Sequence, residues 1–102
     1  MADETPTILE ACRAALGVTD TYFDAEIELA IAAAQVKMAL SGVSESAAQD
    51  TDDALVRIAI IAFVKATVGN DNPDAERYMA SFDDLCIHMK LTARYAGEVA
   101  DG

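Results

Sequence analysis

The stretch that decides the fold is ALVRIAIIAFVKATVGNDNPDAERYMASFDDLCIHM, residues 54–89. Its first half is apolar except at Arg57 and Lys65, eight residues apart and therefore on roughly one side of a helix. Gly69 ends that run. The second half carries Ala75, Tyr78, Met79, Phe82, Leu85, Cys86 and Met89 at helical steps of three and one, with Arg77, Ser81, Asp84 and His88 on the other side. Two helices joined by VGNDN form an antiparallel hairpin, with the first as the most buried element. The junction holds Asp71, Asn72, Pro73, Asp74 and Glu76, and such an acid-rich turn has two readings. As a helix start, Asn72 caps, Pro73 takes the first position and Asp74 and Glu76 occupy the first turn. As a calcium loop it needs alternating acids, a central glycine and a closing Glu, whereas DNPDAERYMASF has proline third and phenylalanine twelfth. The helix-start reading is adopted, and no metal site is assigned.

Upstream, the pattern predicts two more helices. Thr5 and Pro6 open the first, Ile8, Leu9, Cys12 and Leu16 give its apolar face, and Gly17 closes it. The second follows a linker in which Asp20 and Asp24 are both candidate caps. Ile27, Ile31, Ala34 and Met38 form one stripe at steps of four, three and four, and Leu29, Ala33, Val36 and Leu40 form another beside it. A helix apolar over so wide an arc touches more than one neighbour. Gly42 ends it, VSESAAQD (43–50) reads as a polar loop, and Thr51 caps the hairpin's first helix with Asp52 and Asp53 in its first turn. After Lys90 the periodicity is lost. The expected fold is therefore all-α, a small bundle of about four helices over residues 1–91 with a C-terminal tail over 92–102.

Composition narrows the function. The 102 residues include 7 Lys+Arg against 18 Asp+Glu, a formal charge of −11. Such a surface repels phosphates, which argues against sequence-specific DNA binding and against anionic membranes. Cys12 and Cys86 lie far apart with no ligand set nearby and read as free thiols of a reducing compartment. The N-terminus lacks the basic and apolar regions of a signal peptide. Residues 54–68 are too short to span a bilayer.

The search for chemistry yields no catalytic set and no cofactor site. His88 has no nucleophile or orienting partner in the pattern. Asp83 and Asp84 point about 100° apart on a helix and cannot share a proton. No phosphate-binding glycine loop or nucleophile elbow occurs. The serines at 41, 44, 46 and 81 do not stand in the Asp-Ser-Leu setting of an acyl carrier protein.

FVKATVG (63–69), DNPDAERY (71–78) and LCIHMKLTARY (85–95), preceded by ALGVTDTYFDAEIELAIAAA (15–34), resemble in order and spacing the head–tail connector, or adaptor, proteins of tailed phages. The resemblance spans most of the chain and implies an all-α structural virion protein. It would be assembled in the host cytoplasm as a ring of about twelve copies beneath the portal protein, at the head–tail junction. The ring would meet the next neck or tail-completion protein, and genomic DNA would pass through it without specific binding. Alanine-threonine stands where an aromatic often precedes the family's glycine.

Under that resemblance Leu29, Val36 and Leu40 are candidates for a subunit or partner interface, or else they belong to the subunit's own core. Arg94 and Tyr95 are candidate anchors of a tail that orders against a partner; a frayed terminus is the alternative. Glu45, Asp50, Asp52 and Asp53 are candidates for an acidic lumen that keeps DNA from adhering, or else a solvated loop and helix start. An acidic protein-binding module, such as a DNA-mimic inhibitor, is the competing function.

Overall fold

A computed structural model describes residues 5–69 and 73–96. They form five helices: α1 (Ile8–Leu16), α2 (Asp24–Leu40), α3 (Glu45–Gln49), α4 (Ala54–Thr67) and α5 (Ala75–Lys90). The fold is all-α, as the periodicity predicts. α4 is the hub: α1, α2 and α5 all pack on it, and α3 packs on α2. The molecule is a slab of 47 × 39 × 18 Å, so most helices have one face on the core and one on the outside.

The hairpin of α4 and α5 is held by the residues that the 54–89 pattern singles out. Val56, Ala59, Ile60, Phe63 and Val64 of α4 meet Phe82, Cys86 and Met89 of α5 in the core. The Phe63 and Phe82 rings lie 5.0 Å apart at a tilt of 59°. That tilted geometry adds favourable ring-edge electrostatics to the burial. From α2, Ile27, Ile31, Ala34 and Met38 reach the same core, so the first of its two stripes faces inward.

Several element boundaries differ from the expected ones. α1 is capped by Thr7, not Thr5. The Thr7 hydroxyl accepts from the Glu10 amide at 3.1 Å, and the Glu10 carboxylate accepts from the Thr7 amide at 3.0 Å. This reciprocal pair satisfies two donors at once and outcompetes a proline start two residues earlier. The segment expected as a loop contains α3. Ser44 caps it by accepting from the Ala47 amide, and Ala48 anchors it in the core. α4 is capped by Asp53 rather than Thr51, and the Thr51 carbonyl instead accepts from Arg57 Nε at 3.0 Å. α5 begins at Ala75, so Pro73 lies in the preceding turn rather than at the first helical position, and Asp74 stands at the N-cap rather than in the first turn.

α1 and α2 are joined by a two-pronged ion pair. Arg13 Nε and Nη2 donate to the two Asp24 carboxylate oxygens at 2.8 and 2.6 Å. This bond to Arg13 holds the Asp24 carboxyl below the usual carboxylate range, and it raises Arg13 in turn. Gly42 turns the chain out of α2 with φ 111°, and a Cβ there would lie 3.2 Å from that of Lys90. Both facts require glycine at this crossing of the α2 and α5 ends.

Candidate functional site

α2 has no polar face. At 100° per residue its outer arc holds Ala25, Leu29, Ala32, Ala33, Val36, Ala39 and Leu40. Charged and amide residues occur only outside that arc: Glu26 and Lys37 on one side, Asp24, Glu28 and Gln35 on the other. Gln35 is committed inward, donating to the Ala48 carbonyl at 2.9 Å. A helix that packs on one side only normally turns a charged face to water. Here Leu29, Val36 and Leu40 are 73%, 58% and 81% exposed. Of the two readings open for these residues, the structure places them outside the subunit's own core.

Two grooves flank this ridge, one near each end. Leu29, Ala30 and Ala33 with Phe63 and Val68 line one of about 350 Å³. Val36, Ala39 and Leu40 with Glu45 and Gln49 of α3 line the other, of about 460 Å³. Their walls are mainly apolar, suited to side chains of another protein rather than to a polar small molecule. A separate exposed apolar pair, Ile87 and Leu91, lies at the end of α5.

The segment after α5 folds back onto the start of α4. The Asp53 carboxylate accepts from the Leu55 and Val56 amides at 3.1 and 3.2 Å, which caps α4. It also accepts from Arg94 Nη2 at 2.7 Å and from the Tyr95 hydroxyl at 3.1 and 3.2 Å. The Asp53 side chain is 6% exposed and Tyr95 is 7% exposed. Burial, then the bond to Asp53, pushes the Tyr95 phenol above its ordinary value. The Ser44 amide donates to the Tyr95 carbonyl at 2.8 Å, and Val43 and Ala96 form an antiparallel bridge. Tyr95 thus anchors the segment to its own subunit. Arg94 remains largely exposed, with its guanidinium 5.2 Å from the Tyr95 ring centroid.

The four candidate lumen acids divide accordingly. Glu45, Asp50 and Asp52 are on the surface, while Asp53 is turned inward. Asp52 is 3.6 Å from Arg57. Of the turn motif, Asp71 and Asn72 lie outside the described residues. Pro73, Asp74 and Glu76 are exposed, and Asp74 is 3.7 Å from Arg77.

Neither thiol is set up to react. Burial lifts Cys12 to about 11 against the opposing pull of Arg57, and it raises Cys86 as well. His88 is exposed, with Nδ1 2.9 Å from the Asp84 carbonyl oxygen. Among the described residues, no group of three or more His, Cys, Asp or Glu is placed to hold a metal ion. No helix among them is long and apolar enough to cross a membrane.

A family model described as phage connector protein matches residues 8–96, from the first residue of α1 to the bridge at Ala96. The chain belongs to the phage connector protein family. Comparison with curated proteins and with solved structures returns no match. The span matched in this connector covers α2, the α4–α5 hairpin and the Asp53–Tyr95 attachment together. The apolar outer face of α2 was legible in the sequence, as the second stripe. The attachment was not, because Asp53 is some forty residues from Arg94 and Tyr95 and no local pattern joins them.

Proposed function

We propose that this connector is an adaptor which forms a closed ring beneath the portal and joins the DNA-filled head to the neck or tail. The observation that carries the reading is the outer face of α2, a charge-free arc with three large aliphatic side chains in water. A contiguous apolar patch on so small a monomer marks a protein contact. A ring needs two unlike faces that meet head to tail. The α2 ridge supplies one, and Ile87 with Leu91 on α5 supplies apolar surface elsewhere for the other.

Passage of DNA fits the charge. At −11 per copy, a ring would repel phosphates at short range, within a Debye length of about 8–10 Å. Glu45, Asp50 and Asp52 are the acids offered to the lumen, since Asp53 is occupied. Portal and neck proteins are the partners on the two rims. Arg94, largely exposed although its Nη2 is paired with Asp53, is the proposed anchor for one of them.

Complementation tests this reading. A phage lacking the connector is supplied with a variant carrying Leu29→Ser, Val36→Ser and Leu40→Ser. All three residues are exposed, so the subunit should keep its helical signal while filled heads fail to acquire tails. Normal particle yield from that variant would remove the α2 face from the assembly.

A further inference from the structure

The outer seam of α2 is complementary to itself. Leu29, Ala33, Val36 and Leu40 succeed one another at steps of four, three and four, the a and d spacing of a coiled coil. They are also placed symmetrically about the midpoint between Ala34 and Gln35. Leu29 and Leu40 lie equally far from it, and so do Ala33 and Val36. If two copies run antiparallel about a two-fold axis through that midpoint, Leu29 faces the second copy's Leu40, and Ala33 faces its Val36. Each layer then joins two leucines or one small and one medium residue. A parallel pairing would set Ala33 on Ala33 and leave a gap between larger layers, which costs packing.

The grooves fit the same arrangement. A coiled-coil knob enters a hole formed by residues at i, i+3, i+4 and i+7. Glu26, Leu29, Ala30 and Ala33 have that spacing and line the first groove. In the antiparallel register the side chain above it is the second copy's Leu40. The second groove, beside Val36, Ala39 and Leu40, receives the second copy's Leu29. We propose that the free protein forms a two-fold antiparallel dimer through α2, each copy seating its two leucines in the grooves at opposite ends of the other's seam.

Area and charge set the strength of this dimer. Three large exposed side chains per copy, Leu29, Val36 and Leu40, carry the seam, a small contact beside the standard interface of about 1,600 Å². The association is therefore weak and reversible. Two chains of −11 repel each other, and the charge-free arc is where they can meet with least opposition. Added salt should tighten the dimer by screening the rest. The pairing covers the ridge that the ring would use, so ring assembly has to open it. It stands independently of the ring, because it requires no portal.

Cysteine cross-linking of the full chain without portal tests the register. Leu29→Cys and Leu40→Cys are made separately, with unaltered protein as background, since Cys12 and Cys86 are 0% and 2% exposed. Helicity by circular dichroism confirms that both variants fold. In the antiparallel pair, the two copies of position 29 lie about 16 Å apart along the axis, as do those of position 40. A disulfide needs Cα atoms within about 7 Å. The expected result is a linked dimer when the two variants are mixed under mild oxidation, at least tenfold more than from either alone. Equal or greater linkage from Leu29→Cys alone would establish a parallel pair and overturn the proposal. An absence of linkage in the mixture, above that of the unaltered protein, would overturn it too. Normal particle yield from the serine variant would remove the α2 face from the ring and leave this register untouched, so the two ideas fail separately.

Discussion

Replacing Asp53 by alanine should loosen two parts of the molecule at once. The carboxylate caps α4 through the Leu55 and Val56 amides, and it holds the Arg94–Tyr95 segment through a guanidinium and a phenol. Loss of an N-cap costs about 1 kcal/mol. The Arg94 pair is largely solvent-exposed on the arginine side, which limits it to about 0.2–1 kcal/mol. With the segment's docking weakened as well, the total is about 2 kcal/mol. For a chain of this size the urea slope sits near the lower end of about 1–3 kcal/mol/M, so the midpoint should fall by about 1.3–2 M. Asp53→Asn is the informative companion. Asparagine caps nearly as well as aspartate but carries no charge for Arg94, so it should lose less than half as much. Urea melts followed by helical circular dichroism measure both. A midpoint for Asp53→Ala within about 0.3 M of the parent would refute the dual role. Equal losses for the two variants would show that the cap contributes nothing separable.

The remaining expectations concern the core, the titrating groups and the thiols. Phe82→Ala, emptying a fully buried site against Phe63, should cost about 3–5 kcal/mol in the same melts. Because Asp24 titrates below its unfolded value of about 3.9, its contribution is present above that pH and is lost as pH falls through the depressed folded value. Asp24→Asn should therefore flatten the acid limb of a stability–pH curve while lowering stability at neutral pH. Tyr95 is shifted upward, so its contribution is complete below about pH 10 and is lost as pH rises through the folded value; Tyr95→Phe should blunt that alkaline decline. Cys12 and Cys86 should react with a thiol reagent only as fast as the protein opens, so their labelling rate should follow denaturant.

The helical framework could be read in the sequence because apolar residues recur at steps of three and four over fourteen or more positions in the longer helices. α3 could not, since five residues hold barely more than one turn and offer no periodicity. The helix starts were displaced by two residues or so because several capable caps stand near each other. Thr5 and Thr7 compete at one start and Thr51 and Asp53 at another, and the winner depends on partners such as Glu10. The exposed α2 ridge was visible as a second stripe, although its direction needed the packing of α4 to settle. Tyr95 looked like a residue of a loose tail because its partner, Asp53, is brought near only by the closed α4–α5 hairpin.

The proposed closure of these subunits into a ring on the portal can be viewed directly. Negative-stain imaging of the purified protein mixed with portal assemblies addresses it most directly. An added annulus should appear on one face of the portal, with an open central channel, and the serine-substituted α2 variant should fail to form it. Portal particles left bare at saturating connector, or an annulus undiminished by those substitutions, would contradict the proposal.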